Sequence, residues 1–207
     1  MLDLKKVLVV IDPDTEHQPA LDKVLVLEKL VELEIKLIAC DYTQYLVEGY
    51  YFDAVDLPRL REEYLQERKD ALETMAGRLR EQGLNVETEA FWAHPGYETI
   101  VREAVRYGAD LVVQHTRRHA ALSRMFLTND DWQLVRCCPV PLLLVKEKPW
   151  KKAPVILAAV DPKHSRHKPM GLDHKILRIA SDVARLMEGD LYAMHSYSQI
   201  PLSGTWL

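Results

Sequence analysis

Twice along this 207-residue chain a continuous apolar run ends in Asp-Pro. The first is Val7-Leu8-Val9-Val10-Ile11-Asp12-Pro13, and the second is Val155-Ile156-Leu157-Ala158-Ala159-Val160-Asp161-Pro162. An apolar run without polar alternation suits a strand buried on both faces. Such strands belong to parallel sheets covered by helices on each side. Each run leads into a helical pattern and then into a second short strand. After Asp14 the helical face carries Leu21, Val24, Leu25, Leu27, Leu30 and Val31, and a strand follows over 35–40. After Pro162 the face over 172–187 carries Ile176, Leu177, Ile179, Ala180, Val183, Ala184 and Leu186, and a strand follows over 190–195. The chain therefore repeats its own opening.

Between the two copies the alternation continues. The stretch 43–56 is aromatic and irregular and reads as a loop. A long helix begins after Pro58 with Leu60, Tyr64, Ala71, Leu72, Met75 and Leu79 on one side, and Gly83 closes it. A third strand is predicted over 86–92. Pro95 and Gly96 turn into a short helix with Ile100, Val101, Ala104 and Val105 inside, ended by Gly108. A fourth strand covers 110–114, and a polar loop runs from His115 to Asn129. A helix over 130–138 carries Trp132, Leu134 and Val135, and a fifth strand spans 142–145. Pro139 and Pro141 favour an edge position for that strand, where a missing N–H donor does least harm. Strand–helix alternation with right-handed crossovers gives an α/β fold: a doubly wound, five-stranded parallel sheet, followed by a partial second copy. The division is 1–147 for the first domain, 148–153 for a charged linker, and 154–207 for an incomplete second domain. A lone β-α-β unit cannot cover both faces of its sheet, so the expectation is a fragment of a longer protein, or else a unit leaning on the first domain or on another chain.

Composition excludes several classes. The formal net charge is −4 and no long Lys/Arg run occurs, which argues against a nucleic-acid partner. The first residues are an apolar run broken by charge rather than a signal peptide. No uninterrupted apolar stretch of about 18 residues is present, so no membrane span is predicted. Three cysteines without a leader suggest a reduced, cytoplasmic setting. The vicinal Cys137-Cys138 lacks redox spacing and reads as buried, inert thiols, and no further ligands at metal spacing stand near it, so no metal is predicted. Neither a Gly-x-Ser-x-Gly nor a Cys-His signature appears, and no catalytic residue is assigned.

The strand ending in Asp12, the long fourth loop and the segment Arg136-Cys137-Cys138-Pro139-Val140-Pro141-Leu142-Leu143-Leu144-Val145 together resemble the universal stress protein family, whose fold is of the adenine nucleotide alpha hydrolase-like type. The run Thr128-Asn129-Asp130-Asp131-Trp132 and the linker Val145-Lys146-Glu147-Lys148-Pro149-Trp150 resemble its tandem E-type members. That likeness implies a non-catalytic stress-response protein acting by ligand or protein interaction. It also implies pairing through the last strand, as a homodimer or an internal pseudo-dimer. ATP-binding members carry Gly-x-x-Gly, nine residues, then Gly-Ser or Gly-Thr in the fourth loop. Glycines there let backbone N–H groups approach a phosphate closely. Here the matching positions are His115, Arg118 and Thr128-Asn129. The spacing persists without the glycines, so no cofactor is expected in the first domain. ATP remains an expectation for the part of a second domain beyond this chain.

In doubly wound sheets ligands lie beyond the carboxyl ends of the strands. That places Asp12, Cys40 or Asp41, and the loop with His115, Arg118, Thr128 and Asn129, around a degenerate cofactor site, with Asp161 as the equivalent of Asp12 in the second unit. Asp12 either meets a ligand or caps the next turn. His115, Arg117, Arg118, His119 and Arg124 make the loop locally basic. It either holds another anion by side chains or is a solvated surface. Lys163, His164, Arg166, His167 and Lys168 form a basic loop after Asp161. His195 reads as a packed or hydrogen-bonded side chain rather than a base. The alternative functions are an ATP-binding regulator and a small-ligand carrier, anionic or apolar, using the aromatic residues Tyr42, Tyr45, Tyr50, Tyr51 and Phe52.

Overall fold

The structure is a computed structural model, and it describes residues 3–43, 56–116, 129–162, 169 and 171–197. Most of the predicted loop 43–56, most of the basic loops after His115 and Asp161, and the last ten residues lie outside the described residues. The chain divides into two compact units, one over Asp3–Pro149 and the other carrying Trp150 onward.

In the amino-terminal unit, β1 (Lys6–Val10), β2 (Glu34–Asp41), β3 (Asn85–Trp92), β4 (Leu111–His115) and β5 (Leu142–Val145) form one sheet in the order β3-β2-β1-β4-β5. Every neighbouring pair is parallel. β1 sits at the centre, and Val7, Leu8 and Val9 are fully buried, as an apolar run without alternation demands. β5 is an edge strand, in keeping with the prolines that precede it. Asp110 fastens the start of β1: its Oδ2 accepts the backbone N–H groups of Lys5 and Lys6 at 3.0 and 2.9 Å.

Among the described residues, four helices cover the sheet. α1 (Pro19–Glu28) and α2 (Leu57–Arg80) pack on one face, and α3 (Gly96–Tyr107) and α4 (Asn129–Cys137) on the other. Pro19 begins α1, where its missing N–H is harmless. Gly108 ends α3 in the left-handed region (φ 69°), and the Ala109 N–H closes back to the Ala104 carbonyl. Leu8, Ile38, Ile100, Ala104, Val112 and Leu134 form the core beneath α3 and α4.

Several predicted helix faces are narrower than their apolar residues suggest. α1 stops at Glu28, so Leu30 and Val31 fall in the turn and Leu30 is exposed. In α2 the buried residues are Leu72, Ala76 and Leu79, while Ala71 is exposed. Val105, Trp132 and Val135 also face solvent. Each lies one step around its helix from a buried neighbour, at Ala104, Asp131 or Leu134, and a 100° step turns it off the core.

In the second unit, β6 (Val155–Ala159), α5 (Leu172–Leu186) and β7 (Asp190–Met194) form a parallel β-α-β unit. Lys6 pairs with Glu34 in the first unit as Val155 pairs with Asp190 in the second. Flanking backbone bonds recur as well. Glu34 N–H donates to the Lys5 carbonyl and Asp190 N–H to that of Pro154. Ile11 N–H donates to the Ile38 carbonyl and Val160 N–H to that of Met194. Gly189 is required at the α5–β7 turn, because a Cβ there would stand 2.2 Å from the Pro154 carbonyl oxygen.

Candidate functional site

The reversal of strand order falls between β1 and β4, and their carboxyl ends open the crevice where such sheets hold ligands. On the β1 side, Asp12 begins a tight turn. Its Oδ1 accepts the Asp14 N–H at 3.1 Å, and Gln18 closes the loop by donating from Nε2 to the carbonyls of Asp12 and Thr15. The carboxylate thus caps the following turn, one of the two roles the sequence allowed.

Cys40 and Asp41 turn to opposite faces of the sheet, as consecutive strand residues must. Cys40 packs under α3 against the core. Burial, then the nearby Glu103 carboxylate, push its thiol up to about 12, which favours the protonated form at ordinary pH. Asp41 faces α2. Its Oδ2 accepts from Arg68 Nε at 2.9 Å and from the Tyr64 hydroxyl, and its Oδ1 accepts the Tyr42 N–H at 2.8 Å. Arg68 also reaches Asp14 at 3.4 Å, joining the β1 loop to the end of β2. Burial and the bond to Asp41 raise the Tyr64 phenol above its usual range.

Across the crevice, His115 ends β4 opposite Val145. Thr116 is buried and its N–H donates to the Val145 carbonyl at 3.0 Å. Arg118 and Thr128 lie outside the described residues, as does the side chain of Asn129, which opens α4. The first turn of α4 carries Asp130 and Asp131, and Asp131 is 2% exposed, its Oδ1 accepting from Gln114 Nε2 at 2.8 Å. In the second unit, the Asp161 N–H donates to Asp173 Oδ1 at 3.2 Å, and His195 Nδ1 lies 3.2 Å from the Val160 carbonyl oxygen and 3.7 Å from Asp161. His195 is therefore hydrogen-bonded in place, as predicted for a strand-end histidine. Among the described residues no group of three or more His, Cys, Asp or Glu is placed to hold a metal ion.

Sequence reasoning missed Gln18, Arg68, Gln114 and Asp131. Arg61, Tyr64 and Arg68 are spaced three and four apart on α2, which would have put them on one polar-aromatic face. Gln114 carried no signal, because its partner lies 17 residues away in a different element.

A parallel sheet in the order β3-β2-β1-β4-β5 with helices on both faces defines a doubly wound, Rossmann-like α/β domain. The model of the universal stress protein family matches residues 3–146, and the chain belongs to that family. Universal stress protein E of Escherichia coli K12 is 24% identical over 200 residues, covering 96% of this chain and 63% of the relative. Its counterpart in Photorhabdus laumondii is 25% identical over 205 residues, covering 98% of this chain and 65% of the relative. A functionally unknown protein from Pseudomonas aeruginosa PAO1 shares the fold with a TM-score of 0.72 at 26% identity, over 95% of this chain and 62% of that one. The chain thus spans under two thirds of the length of these relatives. No described helix is long and apolar enough to cross a membrane.

Proposed function

We propose that this chain is a non-catalytic stress-response protein whose first domain does not hold ATP in the manner of the glycine-loop members. The observation that carries this reading is the start of α4. A helix amino terminus attracts phosphate through its bare N–H groups and positive end. Here that turn carries Asp130 and the buried Asp131, so a phosphate would meet carboxylates. The glycine-free sequence from His115 to Asn129 adds side-chain bulk where a phosphate cradle would need open backbone. Asp41, the neighbouring strand-end carboxylate, is engaged by Arg68 and Tyr64.

The domain division at 147–154 and the reading of the second unit as a partial copy belong to the same proposal, supported by the shared register and backbone bonds of β1–β2 and β6–β7. So do a cytoplasmic location and pairing through the β5 edge, as a homodimer or a pseudo-dimer. Nucleotide sensing, where the E-type relatives have it, falls in this reading to the part of their chains beyond the match.

Calorimetric titration with Mg-ATP tests the proposal. The expected result is no saturable heat. Micromolar binding would overturn it, and its loss in Arg118→Ala would show that the loop holds phosphate by its side chains.

A further inference from the structure

The chain leaves its amino-terminal unit under restraint. β5 ends at Val145, and the second unit takes up the chain at Trp150. From the residues between them, two ties lead back into the first unit. Lys23 of α1 donates from Nζ to the Lys148 carbonyl at 2.9 Å, across 125 positions of sequence. Lys146 donates from Nζ to the Thr116 carbonyl at 3.3 Å. Thr116 in turn grips the end of β5. Its N–H donates to the Val145 carbonyl at 3.0 Å, and its hydroxyl donates to the same oxygen at 3.3 Å.

Both anchors are built into the fold. Lys23 is 4% exposed and Thr116 is 1% exposed. A lysine is rarely so buried, because its ammonium gives up water that only other partners can replace. The Lys148 carbonyl is one such partner, so releasing the linker would take an acceptor from a buried cation. Thr116 stands at the other end of the arrangement. It follows β4 directly, beside the β1/β4 crevice, and its carbonyl belongs to the peptide that leads on into the polar loop. The start of that loop and the start of the linker are thus tied to each other by Lys146 and to α1 by Lys23. We propose that Lys23, Lys146 and Thr116 form a latch, through which displacement of the first peptide of the loop after β4 frees the linker over 146–149. The coupling does not depend on what enters the crevice. Any ligand or protein that favours a displaced Thr116 loosens the chain leading to Trp150, to the extent of its preference for that state.

Nuclear magnetic resonance relaxation of the backbone amides in the full chain tests the latch. In the parent, the amides of Lys146, Glu147 and Lys148 should have order parameters near the rigid-backbone value of about 0.85. Lys146→Met changes a partly exposed side chain and leaves Lys23 in place, yet it should lower the order parameter of Lys148 to below about 0.6. Lys23→Met keeps the apolar stem. It should loosen the same residues and also shift the Thr116 amide signal, although Lys23 bonds to Lys148 and not to Thr116. A latch that acts as a unit opens once, so the double variant should be no looser than either single one. Unchanged amide signals in β1 and β4 report that the fold is intact, and if Lys23→Met does not fold, the order at Lys148 in Lys146→Met decides alone. A parent linker already below about 0.6 overturns the proposal, as do variants whose linker stays near about 0.85. Loosening confined to the residue each variant unties also overturns it, because two independent bonds would then fasten the linker.

Discussion

Lys36 shows how one residue can defy the pattern around it. It lies inside an apolar strand, is 5% exposed, and points to the same face as Ile38. Its ammonium is held by Glu89 at 2.6 Å and Glu103 at 3.3 Å, and Arg106 donates from Nε to Glu103 at 2.8 Å. A buried charge is tolerable only with such partners. Removing one of them should therefore cost more than the pair itself contributes. Lys36→Met, which leaves the buried Glu103 to Arg106 alone, is expected to lower unfolding free energy by about 1–3 kcal/mol, and Lys36→Met with Glu103→Leu should recover part of the loss. Urea denaturation of the two variants checks this. Glu103 also sets a pH dependence. Burial opposes its charge, but the bonds from Arg106 and Lys36 outweigh that and hold its carboxyl below the ordinary value of 4.5. A folded-state value below the unfolded one contributes stability that is fully present above pH 4.5 and is lost as pH falls through the lower folded value. Glu103→Gln should therefore flatten the acid side of the stability–pH curve below 4.5 and leave its neutral side parallel to that of the parent.

At the scale of elements, α2 does more than cover β2 and β3. Through Arg68 it joins the β1–α1 loop at Asp14 to the end of β2 at Asp41. Arg68→Ala leaves the largely buried Asp41 with only Tyr64 and a backbone donor, and is expected to cost about 1–3 kcal/mol. Arg68→Lys should recover only part, because an ammonium cannot reproduce the spread of Nε and Nη2 over two carboxylates and a phenol. Thermal unfolding of both variants, with hydrogen exchange at residues 41–43, measures the effect. The strands were legible in the sequence because each is a short apolar run, or in β3 an alternating one, bounded by turn residues, and β5 matched its predicted span at both ends. Helix faces were less legible. Val105 and Val135 are apolar, yet each lies one residue beyond the buried stripe, and a count of apolar residues does not fix the angle of that stripe. The site was legible only in part. The loss of glycines in the fourth loop could be read once the resemblance to the family supplied the motif to lay on it. The bonds of Asp41 to Arg68 and of Asp131 to Gln114 join residues 27 and 17 positions apart, and no local pattern marks them.

At the scale of the molecule, the chain places the same motif in two settings. Leu8 on β1 is 0% exposed beneath α3 and α4, while Leu157, at the matching place before Asp161, is 56% exposed. Val155, Tyr192 and Met194 share its face of the second sheet, because residues paired in a parallel ladder point the same way, and all three are exposed. α5 covers the opposite face, where Ala158, Ala180 and Ala184 are buried. Among the described residues the second β-α-β unit thus has its parallel ladder formed, with α5 on one face and Leu157 exposed on the other. Local stability follows apolar burial, because an amide exchanges whenever its own element opens. Although β6 and β1 carry similar residues in the same pairing register, amides of β6 and β7 should exchange on the order of 100-fold faster than those of β1 and β4. Exchange followed by mass spectrometry on the intact chain measures the difference directly. Equal protection in the two sheets would mean that the Leu157 face is buried in solution, and Leu157→Asp would then destabilise the chain as a core substitution does. With the face open to water, the same substitution should leave unfolding free energy within about 0.5 kcal/mol of the parent.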